Sequence, residues 1–289
     1  ALRYDSEARS VRNKVPATAL SQYINDCTGQ ISGAKPDPTF VPGPLNPGLC
    51  ATGAISPKSK NFDAIEPKFT ARWTATDNLT VFGSIGTGFK SGGFNNQGSA
   101  ATVNSFVNSN ASIVNGTYTA VNIADDYKKE TSLAFETGVK LKSSDNTLRF
   151  EAAYYHTDVN DMQFFEFFVG PFGLLRVVDN IDSVRIDGVE AGAQWAASDW
   201  LEFHAGANWT DSEIEKNSAR PDTVGNKSPY TPDWTATFGT SITWPLGKDL
   251  NLIFAGDVTD IGPTWFHVVQ DQSRPTLFGF DGGYGLAHR

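Results

Sequence analysis

The chain has 289 residues, 39% of them hydrophobic and 12% aromatic, with a formal charge of -9; this excludes a peptide-like scaffold and leaves one or two domains as the default. Lys and Arg are few and unclustered, which excludes a nucleic-acid binder, because phosphates must be met by a basic patch. No stretch approaches the roughly 20 apolar residues of a spanning helix, since the densest run, FFEFFVGPFGLL at 164–175, is interrupted by Glu166 and Pro171.

The 27 glycines, single methionine and two cysteines, with many Thr, Asn and Phe, favour strands and turns over helices. The opening ALRYDSEARS carries Arg and Asp among its first residues and no apolar h-region, so it does not read as a secretory signal. The expectation from that stretch is a cytosolic protein or a missing start.

In chain order, a long Pro-rich connection at 11–62 is followed by alternating runs joined by short polar turns: TDN at 76–78, SSDN at 143–146, ASDW at 197–200 and PLGKD at 245–249. Each turn suits a tight hairpin. At the other edge the same runs are joined by long segments, 91–127 and 213–232, with a further long stretch beyond 259. Short turns on one edge and long loops on the other are the pattern of a transmembrane barrel, with short periplasmic turns and long extracellular loops.

The alternation is clean. Leu133, Phe135, Val139 and Leu141 oppose Glu136 and Lys140; Leu148, Phe150 and Tyr154 oppose Arg149 and Glu151; Leu201, Phe203, Ala205, Ala207 and Trp209 oppose Glu202, His204 and Asn208. Alternation alone fits a soluble sandwich equally well. The stretch WTATFGTSITW at 234–244 discriminates. Trp234 and Trp244 are ten residues apart on one face, which is roughly 34 Å along an extended strand. A tilt of about 45° reduces that to roughly 24 Å, close to the apolar band between the aromatic girdles of a barrel. Trp73, Trp195 and Trp200 beside the short turns, and Trp209 at the long-loop end, complete an expected membrane girdle with Trp234 and Trp244. The other face, Thr235, Thr237, Gly239, Ser241 and Thr243, would line water, and such small polar side chains imply a wide lumen.

These residues carry a family resemblance. SIGTGFKSGGFN at 84–95, after a TDN turn, resembles the segment of TonB-dependent outer-membrane receptors in which a strand ends in Gly-Phe-Lys-x-Gly-Gly-Phe. KKETSLAFETGVKLKSSDNTLRFEAAYYHTDVNDMQ, IDGVEAGAQWAASDWLEFHAGANWTDSEI and SPYTPDWTATFGTSITWPLG follow the strand order of the siderophore-receptor type over most of the chain. The resemblance implies an all-β, antiparallel transmembrane barrel, about ten strands of a barrel of roughly 22, in the bacterial outer membrane. It also implies a plug domain and an energy-transducing TonB partner. Neither a plug nor a partner-binding box is recognisable in residues 1–289, and GGYGLAHR lacks a terminal aromatic residue, so the expectation is part of one barrel domain without its plug.

The function implied is active import of a scarce nutrient, in the first place a ferric siderophore, with a vitamin or saccharide as the alternative within the family and a soluble or cell-surface glycan-binding β protein as the alternative outside it. Candidate substrate contacts are Phe164, Phe165, Phe167, Phe168 and Phe172 as an aromatic surface, with Arg176 or Arg185 meeting negative charge and Lys90 at the end of the motif strand. The same rings would serve equally as packing for neighbouring strands, and Lys90 as a snorkelling residue. Cys27 and Cys50 fall in the 11–62 segment and are expected to form a disulfide of an extracellular loop, worth about 3 kcal/mol through the unfolded chain. His156, His204, His267 and His288 are scattered, so no metal site or cofactor is expected. The chain contains no GxSxG, and His156 has no evident Ser partner, so an enzyme is not expected.

Overall fold

A computed structural model describes residues 1–11, 57–95, 123–170, 173–266 and 268, and of these the backbone alone over 168–170 and 173–175. The strands are β1 (Leu2–Val11), β2 (Lys58–Thr76), β3 (Leu79–Lys90), β4 (Gly93–Phe94), β5 (Asp126–Tyr127), β6 (Glu130–Lys142), β7 (Leu148–Gly170), β8 (Gly173–Ser198), β9 (Leu201–Lys216), β10 (Trp234–Pro245) and β11 (Asn251–Ile261). Nine of them form one antiparallel meander in the order β1-β2-β3-β6-β7-β8-β9-β10-β11, while β4 and β5 pair in a separate ribbon. The single 3-10 turn described is Pro221–Thr223. Among the described residues this is a partial barrel that does not close on itself.

The four short turns fall where the polar turn sequences stand, between β2 and β3, β6 and β7, β8 and β9, and β10 and β11. Their chemistry is local. In the β6–β7 turn the Ser143 hydroxyl accepts from the Leu148 N–H at 2.9 Å, Asp145 accepts from the Thr147 N–H at 3.2 Å, and Asn146 takes a positive φ of 60°, a conformation short amide side chains tolerate. At the opposite edge β7 and β8 continue far beyond their neighbours, pairing from Leu148↔Trp195 to Gly170↔Gly173. The run DMQFFEFFVGPFGLLRVVDN at 161–180 reads by itself as a rising strand, a turn over Gly170 to Gly173 and a descending strand, and the projecting hairpin is that element.

Register places the apolar positions in one face. Phe69 pairs with Ile85 and Ile85 with Phe135; Phe150 pairs with Leu141; Leu148 with Trp195 and Trp195 with Phe203; Trp209 with Trp234, and Phe238 with Val258. From β2 to β10 this face carries no charged side chain through the body of the sheet, and on β11 the first is Asp260, opposite Ala236 towards the long-loop edge. Its large side chains are exposed, Phe69 and Trp73 at 68% and Val258 at 70%. A sandwich would bury such residues under a second sheet, and among the described residues no second sheet covers them. Only a non-aqueous surrounding removes the cost of that surface.

Sheet pairing is also what makes strands viable in lipid, since every backbone N–H and C=O must be bonded within the protein. The buried apolar cluster lies elsewhere. Val159, Phe164, Ile181, Val184, Ile214 and Val268 pack together at the long-loop edge, with Met162 and Ile186 against them.

Candidate functional site: lumen wall and extracellular rim

The face opposite the apolar band is polar and internally bonded. Lys140 and Glu151, direct cross-strand partners, form an ion pair at 2.8 Å. Tyr155 donates to Asn208 at 3.0 Å and shares a hydrogen bond of 2.8 Å with Thr210, and His204 meets Asp257 at 2.6 Å. Rings on this face lie across glycines paired directly with them: Phe82 on Gly138, Tyr155 on Gly188, His204 on Gly239. A Cβ at any of these glycines would collide with the ring, so the missing side chain is what lets an aromatic lie flat on the wall. Near the short turns a concavity of about 760 Å³ is lined by Arg72, Lys140, Lys142, Arg149, Glu151 and His204 among others. Among the described residues Arg72, Lys142 and Arg149 make no ion pair.

The two ends of the apolar band differ. Trp73, Trp195, Trp200 and Trp244 stand beside the short turns and are more than 45% exposed. Trp209 stands at the long-loop end, cross-strand from the half-buried Trp234. Just beyond this second row the outer face turns charged, with His156, Asp187 and Asp211 in register across β7, β8 and β9. His156 Nδ1 lies 2.8 Å from Asp187, and the Tyr154 hydroxyl donates to the same carboxylate at 2.6 Å.

At the rim, Asp161 adopts a φ of 52°, unusual for a side-chain-bearing residue, and it interrupts the alternation of β7. Val159 and Phe164, five positions apart, consequently enter the same buried cluster. Phe164, expected as part of an accessible aromatic surface, is 5% exposed. It is withdrawn because the strand reverses its faces at Asp161, and the burial extends to Glu166. Phe165 and Phe167 take the other face and stay exposed, and the guanidinium of Arg176 stands 4.1 Å from the centre of the Phe165 ring. Arg185 is drawn elsewhere, to Glu213 at 2.7 Å and Asp187 at 3.2 Å. Lys90 lies 3.7 Å from Glu130. The side chains of Phe168 and Phe172, and both Cys27 and Cys50, lie outside the described residues.

Sequence reasoning missed the pair behind Phe165. Glu166 and Arg220 form an ion pair at 2.9 Å with both side chains nearly buried. Burial pushes the Glu166 carboxyl above the ordinary carboxylate range, against the pull of Arg220 and with the help of Asp179; burial likewise raises Asp179. Arg220 is 54 residues from Glu166, and no local pattern announces a partner at that separation. Among the described residues no three His, Cys, Asp or Glu side chains gather as metal ligands.

A meander with an apolar outer band, aromatic rows at its two edges and a bonded polar inner wall defines part of an outer-membrane β-barrel. Residues 35–287 match the family described as TonB dependent receptor-like, beta-barrel. The chain belongs to that family, whose members reside in the bacterial outer membrane. It is 27% identical over 226 residues to the pesticin receptor of Yersinia enterocolitica, covering 78% of this chain and 29% of that protein. The structure is similar to that of the ferric yersiniabactin uptake receptor FyuA from Yersinia pestis, with a TM-score of 0.53, 20% identity, and coverage of 75% of this chain and 29% of that one. The siderophore receptor PiuA from Acinetobacter baumannii matches with a TM-score of 0.50 and 21% identity over 75% of this chain and 28% of that one. At these identities the structural likeness concerns the fold. The chain spans about three-tenths of the length of the relatives it matches.

Proposed function

We propose that the chain is one part, 1–289, of the barrel domain of an active transport receptor that captures a scarce nutrient outside the cell and imports it, and that the nutrient is a ferric siderophore. On this reading the plug and the site for the TonB complex belong to parts of the protein outside this chain, and the reaction is transport rather than catalysis. The reading is supported by membership of the family, and the observation that carries the substrate contact is Arg176 held 4.1 Å over Phe165 beside the exposed Phe167. A guanidinium on a ring offers a planar cation whose other side suits an aromatic anion. Vitamin or saccharide uptake is the competing reading.

The test is uptake by the whole receptor in iron-limited cells, using radiolabelled ferric chelates of the catecholate, hydroxamate and citrate classes. Proton-gradient-dependent accumulation of an aryl chelate, reduced in Arg176→Ala, supports the proposal. Iron uptake equal to that of cells without the receptor for every chelate would remove the siderophore assignment and leave another nutrient.

A further inference from the structure

We infer that Asn95, the last residue of GFKSGGFN, is the positioning residue of the Phe165–Arg176 pair, through a strap formed by residues 91–95 and 123–128; this rests on the rim reading above. The carboxamide of Asn95 does for β8 what a neighbouring strand would do. Its Oδ1 accepts from the Val178 N–H at 2.8 Å while its Nδ2 donates to the Val178 carbonyl at 2.8 Å and to the Ala124 carbonyl at 2.9 Å. Its own N–H donates to the Asp125 carbonyl at 2.7 Å. β9 stops pairing with β8 at Ser183↔Lys216, so among the described residues Val178 stands on an edge with no strand paired to it, and one side chain supplies both its missing partners.

Val178 is the direct cross-strand partner of Phe165, as Arg176 is of Phe167. Asn95 thus holds the β8 residue opposite the ring on which Arg176 rests. The strap reaches the same face of the hairpin at a second place. Gln163 and Asn180 are direct partners in the register that includes Phe165↔Val178; Gln163 Nε2 donates to the carbonyls of Ser91 at 2.9 Å and Lys128 at 3.0 Å, and Asn180 Oδ1 accepts from the Lys128 N–H at 2.8 Å. Side-chain amides form most of this seam.

The chemistry specifies the residue. Asn95 is 6% exposed. Asp there would lose the two Nδ2 bonds and aim negative charge at two carbonyl oxygens; Ala would leave both polar groups of Val178 unpaired, where an unmade bond costs more than a made one contributes. Gln carries both functions but one methylene further out. The neighbouring Gly92 and Gly93 let the strap pack on β2 and on itself, since a Cβ on either would collide with Phe62 or Tyr127.

The experiment uses the whole receptor in detergent and compares wild type, Asn95→Ala, Asn95→Gln, Arg176→Ala and the Asn95→Ala/Arg176→Ala double variant. Amide exchange at Val178 and affinity for the ferric 2,3-dihydroxybenzoate chelate are the readouts, with heat-modifiable gel mobility as the check on the barrel. The expected result is exchange at Val178 about tenfold faster in Asn95→Ala, smaller acceleration in Asn95→Gln, unchanged gel mobility, and weaker chelate binding that disappears as an effect once Arg176 is already Ala. Unchanged exchange at Val178, or an undiminished loss of affinity on top of Arg176→Ala, overturns the inference. If Arg176→Ala alone binds the chelate as wild type does, the rim reading fails, and the exchange at Val178 by itself decides whether Asn95 holds the hairpin. Should Asn95→Ala lose its heat-modifiable band, Asn95→Gln carries the same comparison.

Discussion

Arg220 reaches across from the β9–β10 connection to place its guanidinium 2.9 Å from the carboxylate of Glu166 on β7, and both side chains are nearly buried. A buried ion pair contributes little over an apolar replacement, yet breaking it leaves an uncompensated charge. Arg220→Ala should therefore destabilise the closed rim by about 3–5 kcal/mol while sparing the sheet below. Proteolysis and amide exchange over 217–230 are the measurements. The double change Glu166→Leu with Arg220→Leu should recover most of the loss; a double variant as open as Arg220→Ala would show that the charges themselves, rather than their burial unpaired, hold the segment.

The same cluster predicts a pH dependence. Glu166 is paired with Arg220 and Asp179 lies in the field of the same guanidinium, with Asp182 and Lys128 the other charged groups that act on Asp179, and burial raises both carboxyls above their ordinary range. A carboxyl that holds its proton more tightly in the closed rim than in the open one favours closure below the ordinary carboxylate range, at about pH 4, and that contribution is lost as pH rises through the raised value. Rim exchange, corrected for its intrinsic pH dependence, should be slower near pH 5 than near pH 8. Glu166→Gln should flatten the profile. Faster corrected exchange at the lower pH would contradict the direction.

Most of this architecture is legible in the sequence, because strand alternation and turn chemistry are local. The four short turns, the outer face through Phe135, Phe150 and Phe203, and the hairpin around 170 follow from spacing alone. The rim is legible only in part. Asp161 reverses the faces of β7 without a glycine to mark it, so FFEFF reads as one aromatic surface when it is in fact split, with Phe164 and Glu166 on one side and Phe165 and Phe167 on the other. Asn95 reads as the end of a motif, and its partner Val178 is 83 residues away. Contacts between distant segments leave no period to find.

Tyr155 and Gly188 give a third prediction. The ring occupies the space above the glycine, and its hydroxyl bonds Asn208 and Thr210 on the next strand. Gly188→Val should displace the ring and break both bonds, costing about 1–3 kcal/mol as overpacking. Tyr155→Phe keeps the ring and removes only the hydroxyl, so its cost should be about 1 kcal/mol. Urea titration of the whole receptor in lipid vesicles separates the two. Equal losses would mean that the ring contributes nothing to the wall.

The assignment of faces is tested most directly on adjacent residues of β10. Phe238 stands mid-strand on the apolar face, its ring 6.0 Å from that of Phe203, which in turn stacks on Trp195 at 5.9 Å. Thr237 points the other way, its hydroxyl 3.3 Å from that of Thr259. Phe238→Arg must bring a guanidinium into hydrocarbon at mid-depth and should cost about 2–4 kcal/mol in a bilayer, whereas Thr237→Arg meets water and should be nearly neutral. The difference belongs to the lipid, so it should shrink sharply when both variants are measured in short-chain detergent, where the guanidinium reaches water with little displacement. A cost at Phe238 that persists undiminished in detergent would reflect lost packing with Phe203 instead; equal costs at the two positions in the bilayer would place the apolar band of this sheet somewhere other than in the membrane.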